Sequence, residues 1–270
     1  MGSRSGTRLA SASSGASSVG VTLDSAWLEA VMLAGVRMVA FLVVAPPFSH
    51  NSIPLRIKAM LGLGLALAVS PQVAATYKAT DTGGYIVALI LEIVVGAALG
   101  FLVMLVFAAI QSAGSLIDMF GGFQMAQAFD PQAMLNGAQF TRLFQMTALA
   151  LLFASDGYQL VIGGLVRSFT ALPLGGGLDL ATPVQTMTAA VTQMFLAAVQ
   201  IAGPLLVVLF LADVGLGLLT RVAPALNAFA MGFPLKIFLT LTLAGVVFSV
   251  LPRIVAALAG QAITGLTGAR

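Results

Sequence analysis

The sequence predicts an all-α protein made of hydrophobic helical hairpins. Of its 270 residues, 59% are hydrophobic and 8% are charged, whereas soluble domains carry about 25% charged side chains. The mean hydropathy is +1.05. Proline, glycine and aspartate recur between the apolar stretches, so the helices are expected to be kinked and interrupted. These observations together indicate an integral membrane or membrane-derived protein.

Apolar segments occur along most of the chain, and several reach the roughly 20 residues that a bilayer span requires. The two segments beside Ser155-Asp156-Gly157 are too short for two separate spans, which predicts a helical hairpin or a kinked helix. The predicted helical segments are approximately 26–48, 59–75, 85–110, 143–154, 158–169, 184–212 and 229–258.

The chain ends differ from this apolar body. Residues 1–20 are small and polar, which predicts a disordered leader or a tag remnant. A signal peptide is disfavoured because a serine-rich tract separates Arg4 and Arg8 from any apolar region. Residues 21–262 are interpreted as one helical domain, and residues 263–270 as a flexible tail.

The residue inventory gives little support to catalysis or to metal binding. There is no cysteine, which excludes disulfides and thiolate chemistry within the chain. The one histidine, His50, lies in a polar loop, and neither a nucleophile elbow nor a zinc or phosphate-loop motif is found. The net charge of +3 is spread thinly. We therefore expect no enzyme activity, no cofactor and no nucleic-acid partner.

Charge bias does not orient the chain in a membrane. Assigning six nominal spans divides the cations almost evenly between the two sides, so the positive-inside rule decides nothing. This is consistent with helices that are buried against partner subunits. One side collects Lys78, Arg167, Arg253 and Arg270, and the other Arg56, Lys58, Arg142, Arg221 and Lys236.

Acidic residues within apolar segments require partners or water, because a charge at the bilayer centre costs about 2.5–3.5 kcal/mol. A structural pair with Arg37, Arg142 or Arg221 is one interpretation, and an ion pathway or pairing between subunits are the others. The predicted buried charges are Glu92, Asp118, Arg142 and Asp213.

Small residues within the segments predict close helix packing. Gly96 and Gly100 form a small-xxx-small step, which allows two helix backbones to approach each other.

The segment Met119 to Asn136 combines aromatic residues and methionines with glycine, glutamine and an Asp-Pro pair. Methionine adapts to irregular gaps, and Gly121 and Gly122 allow backbone conformations closed to other residues. The composition indicates either a deformable seal or a re-entrant loop that merely packs.

The run from Arg221 to Pro234 places a cation, two prolines and a glycine between two apolar stretches. Pro224 and Pro234 each remove a backbone donor, which predicts a turn or kink. Irregular backbone of this kind is tolerated at membrane depth only inside protein or beside water.

This run resembles the signature of the FliR family of flagellar type III export-gate proteins and their injectisome homologues. Ser52-Ile-Pro-Leu-Arg-Ile-Lys58, Phe129-Asp-Pro131 with Asn136 and Arg142, and Ala171-Leu-Pro-Leu-Gly175 are similar to further family motifs in the same order, over about residues 22–260. One departure is Ser115, where the family usually has an acid; Asp118 follows one turn later.

The resemblance implies a non-enzymatic subunit that forms a closed pore with FliP and FliQ, contacts FlhB and FlhA, and passes unfolded flagellar substrates. It also implies a place in the bacterial inner membrane, in the flagellar basal body, in contact with lipid. The implied plug residues are Gly121, Gly122, Phe123, Met125, Phe129, Asp130, Pro131 and Met134. The implied assembly and kink residues are Arg221, Pro224, Asn227, Gly232 and Pro234.

A secondary transporter that uses Glu92 or Asp213 as a coupling carboxylate is the alternative. It predicts internal repeats, and none is convincing in this sequence. The wording of the Arg221 to Pro234 run favours a flagellar over an injectisome system.

Overall fold

The computed structural model describes residues 25–50, 52–123, 139–176, 181–223 and 228–267, and the regular structure in these ranges is entirely helical. This confirms the predicted all-α class. The helices are α1 (Ser25–Val44), α2 (Leu55–Ala74), α3 (Thr82–Phe120), α4 (Gln139–Ala154), α5 (Gly157–Ala171), α6 (Ala181–Val222) and α7 (Ala228–Thr267).

Three helices are much longer than predicted. α3, α6 and α7 contain 39, 42 and 40 residues, which corresponds to roughly 58–63 Å at 1.5 Å per residue. The prediction ended α3 at Ile110 and α6 at Ala212, where polar residues begin, but both helices continue for about ten residues. α7 likewise reaches Thr267, within the segment expected to be a tail. The hydropathy pattern failed here because polar side chains that find partners do not end a helix.

Five of the described helices, α1, α2, α3, α6 and α7, are long and apolar enough to cross a membrane. α4 and α5 meet the same criterion only as a pair, which is bent by 75° between Ala154 and Gly157. Asp156 sits at this bend with φ 54°, a left-handed conformation that aspartate tolerates better than most residues. The predicted break around Ser155-Asp156-Gly157 is therefore confirmed as a sharp bend.

α3 is the central helix of the structure. α1 packs on its first half and α2 packs on α1, α4 packs near the end of α3, and α6 and α7 also lie against it. Large apolar side chains from all these elements fill the core. Phe41, Ile110, Phe144, Leu205 and Leu251 are fully buried.

Close backbone approach explains the packing of α1. A Cβ atom at Gly96 would overlap the carbonyl oxygen of Arg37, and one at Gly100 would lie 2.9 Å from the carbonyl oxygen of Phe41. The predicted small-xxx-small contact is thus confirmed as the crossing of α3 with α1. Gly62 of α2 approaches α1 in the same way, with Val39 Cγ2 2.6 Å from a Cβ built there.

Much of the apolar surface is exposed in the part of the chain that the structure describes. α2, α6 and α7 expose rows of large hydrophobic side chains, which mark surfaces for lipid or for other proteins. Examples are Met60, Leu61 and Leu67 on α2, Phe195, Phe210 and Leu218 on α6, and Phe238 and Leu241 on α7.

Candidate functional site

Asp118, in the last turn of α3, joins the two helices that flank residues 124–138. Its carboxylate accepts hydrogen bonds from the backbone N–H groups of Phe140 (2.9 Å) and Thr141 (2.8 Å) and from the Thr141 hydroxyl (3.0 Å). Asp118 is fully buried. A carboxylate at a helix N-terminus satisfies free N–H groups and interacts favourably with the helix dipole. The structure therefore gives this acid a capping role on α4 in place of the predicted cation partner.

A row of aromatic rings continues from this cap toward α7. Phe123 packs edge-on against Phe140 with a centroid separation of 5.2 Å, and Phe140 packs against Phe144 at 6.3 Å. Phe144 then packs against Phe248 of α7 at 5.2 Å. Edge-to-face pairs of this kind add stability beyond the area they bury. The end of α3 is thus fixed to α4 and to α7 together.

Gly121 and Gly122 lie against α7, where a larger residue would be crowded at either position. Gly122 has φ 83°, a conformation that side chains disfavour, and a Cβ there would lie 3.1 Å from the ring of Phe233. A Cβ at Gly121 would lie 2.9 Å from the Thr240 hydroxyl. The predicted loop therefore begins at Gly121, because Met119 and Phe120 still belong to α3.

Only part of the predicted plug falls within the described residues. Gly121, Gly122 and Phe123 are at the base just described. Met125, Phe129, Asp130, Pro131 and Met134 lie outside the described residues.

Arg37 of α1 and Glu92 of α3 form a buried ion pair, and their side chains are 1% and 3% exposed. The guanidinium donates through Nε and Nη2 to the two carboxylate oxygens, with Nη2 to Oε1 at 3.0 Å. Bidentate pairing of this kind is the strongest arginine–carboxylate geometry. One of the partners proposed from the sequence for the acidic residues, Arg37, is therefore the partner of Glu92.

Arg37 also binds the C-terminal end of α5. Its Nη2 donates to the carbonyl oxygen of Leu172 (2.9 Å), and its Nη1 donates to the Ser168 hydroxyl (3.4 Å). The guanidinium carbon lies 4.3 Å from the centroid of the Phe169 ring. A cation at a helix C-terminus is favourable. One side chain thus holds α1, α3 and the bent α4–α5 pair together.

Two of the four predicted buried charges are exposed in this chain. Arg142 is exposed near the start of α4. Asp213, which is 45% exposed, pairs with Lys236 across α6 and α7, with Nζ to Oδ1 at 2.7 Å. Neither side chain is buried within this chain, because each lies on an outward face of its helix. Burial of either residue against a partner subunit stays a prediction.

The predicted assembly residues are distributed around the start of α7. Arg221 is exposed in the last turn of α6, and Gly232 lies near the side chain of Leu216. Pro234 lies inside α7, so this proline does not end a helix; the break comes after Val222. Neighbouring helices compensate for the lost donor of a proline in such bundles. Pro224 and Asn227 lie outside the described residues.

Polar groups at the chain turns have local partners. His50 Nδ1 lies 3.0 Å from the Ser52 hydroxyl on the surface. The hydroxyl of Tyr77, between α2 and α3, donates to Glu29 (3.0 Å), and burial raises the pKa of Tyr77. Among the described residues, no group of acidic or histidine side chains is arranged to hold a metal ion.

The sequence of the helical bundle matches a known family from α1 to α7. The family described as "Bacterial export proteins, family 1" matches residues 28–262. The chain belongs to this family. The match includes every feature described above, from the Arg37 pair to the base of the loop and the α6–α7 hairpin.

Curated members of the bacterial export family resemble the chain over most of its length. The flagellar biosynthetic protein FliR of Escherichia coli is 32% identical over 80% of this chain and 83% of its own length. FliR of Bacillus subtilis is 28% identical over 82% of this chain and 87% of its own. The Yop proteins translocation protein T of Yersinia pestis is 30% identical over 64% of this chain and 67% of its own.

The sequence did not reveal several residues that bind Arg37 or complete the aromatic row. Ser168, the carbonyl of Leu172 and Phe248 were not singled out. Phe140 and Phe144 carried a usable signal, because residues four apart share a helix face. Ser168, Leu172 and Phe248 carried no such signal, since each contacts a residue that is far away in the sequence.

Proposed function

We propose that this chain is a non-enzymatic subunit of a bacterial type III export gate, in the flagellar system. The match of residues 28–262 to a family of bacterial export proteins carries the proposal. Relatives named as a flagellar biosynthetic protein, FliR, and as a Yop proteins translocation protein support it, because the first name concerns the flagellum and the second protein translocation. FliR relatives with high coverage favour the flagellar system.

The long helices favour assembly into a larger complex. A bilayer has a hydrocarbon core of about 30 Å, which is roughly half the length of α3, α6 and α7. A large part of each would therefore lie outside lipid or against other proteins. We propose that FliP and FliQ cover the exposed apolar faces of α6 and α7, with FlhB and FlhA as further contacts, at the inner membrane in the flagellar basal body.

The segment after α3 is proposed as the plug of the pore. The Asp118 cap and the Phe123–Phe140 contact hold the end of α3 to the start of α4, and Gly121 packs on Thr240 of α7. Methionines and phenylalanines beyond that base would close the pore through many weak dispersion contacts. Such a seal can yield to a passing unfolded chain and re-form.

Assembly is tested by co-expressing the chain with FliP and FliQ, purifying it in mild detergent and measuring the mass of the complex. We expect a large hetero-oligomer. A lone monomer or homodimer would contradict the proposal and favour the transporter alternative. That alternative has lost support, since Glu92 and Asp213 are both engaged in ion pairs with cations of this chain.

The plug is tested by replacing Met125, Phe129 and Met134 together with serine in the assembled complex. We expect the ion conductance of the closed complex in planar bilayers to rise, because the apolar contacts of the seal are removed. Met60→Ser is the control, since Met60 is an exposed methionine on α2. Unchanged conductance in a triple variant that still co-purifies would contradict the plug role and leave assembly intact.

A further inference from the structure

A groove of about 470 Å³ opens along the hairpin of α1 and α2. Its walls are one stripe of α1 from Met32 to Ala40, Ala59 and Leu63 of α2, and Ile93 of α3. Every lining residue is apolar. The stripe on α1 covers two helical turns, roughly 12 Å.

Small residues create this groove. Gly35, Ala40 and Ala59 leave space between the larger side chains of the three helices. A Cβ at Gly35 would reach Ala66 and Leu63 only at 3.8 Å, which is ordinary contact distance. The groove is therefore open space and not a tight helix crossing of the kind found at Gly62.

The end of the groove near Ala59 is positively charged. Lys58 is 7% exposed and Arg56 is exposed, and neither side chain forms an ion pair or hydrogen bond with a residue that the structure describes. The Cα–Cβ bonds of a helix tilt toward its N-terminus, which is the end of α2 where Arg56 and Lys58 lie. No side chain caps that turn, since Pro54 occupies the N-cap position.

We propose that this site binds one anionic glycerophospholipid, with an acyl chain in the groove and the phosphate at the first turn of α2. Arg56, Lys58 and the N-terminal helix dipole supply the positive potential for the phosphate. The apolar walls accept an acyl chain without leaving any polar group unpaired. A buried lysine beside an apolar groove, with no ion pair to the residues that the structure describes, matches the division of a phospholipid into tail and charged head group.

The proposal does not depend on the gate function, because the site is built from α1, α2 and α3 of a single chain. It is tested on the full chain in neutral detergent by native mass spectrometry. Phosphatidylglycerol and phosphatidylcholine with identical acyl chains are titrated separately. We expect one phosphatidylglycerol to bind at lower concentration than phosphatidylcholine.

Two variants separate the head-group contact from the groove. R56Q/K58Q is expected to weaken phosphatidylglycerol binding by roughly fivefold for each charge removed, with little effect on phosphatidylcholine. Ala59→Phe fills the groove and is expected to weaken binding of both lipids. Lys78→Gln and Ala68→Phe are the matched controls, because both residues are exposed and lie outside the groove.

Equal affinity for the two lipids, or unchanged phosphatidylglycerol binding in R56Q/K58Q, would contradict the proposal that Arg56 and Lys58 bind the lipid phosphate. Equal effects of Ala59→Phe and Ala68→Phe on lipid binding would contradict the proposal that the groove holds an acyl chain. Melting temperatures of all variants establish that they are folded. If Ala59→Phe is unstable, R56Q/K58Q alone tests the proposal, since neither of its substitutions introduces a larger side chain.

Discussion

Replacing Arg37 with alanine is expected to destabilise the folded chain by about 3–5 kcal/mol, the usual cost of removing one partner from a buried ion pair. Glu92 would keep a carboxylate that is 3% exposed and has lost both of its donors. The carbonyl oxygen of Leu172 would lose its arginine donor at the same time. The alanine variant is expected to melt at a much lower temperature in detergent than the parent chain.

Arg37→Lys is the conservative comparison. Lysine keeps the charge but has no planar fork, so it cannot bind both carboxylate oxygens of Glu92 and also reach the end of α5 in the same geometry. We expect an intermediate melting temperature. Such a result would assign part of the stability to the hydrogen bonds to Glu92, Ser168 and Leu172 and part to charge alone.

Asp213→Asn is the matched control for ion pairing. Asp213 also pairs with a cation of another helix, but it is 45% exposed, and exposed pairs contribute only about 0–1 kcal/mol. Replacing Arg37 and Glu92 together with apolar residues should recover part of the loss, because no buried charge remains. An Arg37→Ala chain that melts like Asp213→Asn would contradict the importance of this pair.

The sequence could predict those features that depend on local spacing or on the cost of burying a charge. The bend at Ser155-Asp156-Gly157 followed from two apolar segments that were each too short to span. Close helix packing at Gly96 and Gly100 followed from their spacing, although the partner helix α1 did not, and the need of Glu92 for a partner followed from its apolar surroundings. Each of these inferences uses information contained in one short stretch of chain.

Features that depend on tertiary partners could not be predicted. Asp118 accepts hydrogen bonds from backbone N–H groups of α4 and not from a cation, because the N-terminus of α4 lies against the last turn of α3. Arg142 and Asp213 lie on outward faces of α4 and α6, an orientation that is set by the packing of these helices on their neighbours. The predicted C-terminal ends of α3, α6 and α7 come about ten residues too early, because apolar composition and not backbone hydrogen bonding defines the prediction.

Gly96→Ala is expected to have the second large effect, a destabilisation of about 1–3 kcal/mol or more. The added methyl group would overlap the carbonyl oxygen of Arg37 and lie 2.9 Å from the Cβ of Ala40. A helix backbone cannot move aside as a flexible side chain can, so α1 and α3 must separate along the crossing. The change is measured as the melting temperature of the full chain in detergent.

Gly64→Ala is the matched control and should change stability in the opposite direction. A Cβ at Gly64 of α2 meets no atom within 4 Å. Alanine in place of glycine within an unobstructed helix stabilises it by about 0.5–1 kcal/mol. If both alanine variants raise the melting temperature, the close approach at Gly96 is not a constraint on the fold.

The two large effects should not add. Glu92 and Gly96 are four residues apart on one face of α3. Glu92 binds the side chain of Arg37, and Gly96 lies against the backbone carbonyl oxygen of Arg37. Separation of α1 from α3 in Gly96→Ala would already weaken the Arg37–Glu92 pair. In a double-mutant cycle, Arg37→Ala should therefore cost less in the Gly96→Ala background than in the parent chain. Strict additivity would indicate that α1 can shift against α3 without breaking the ion pair.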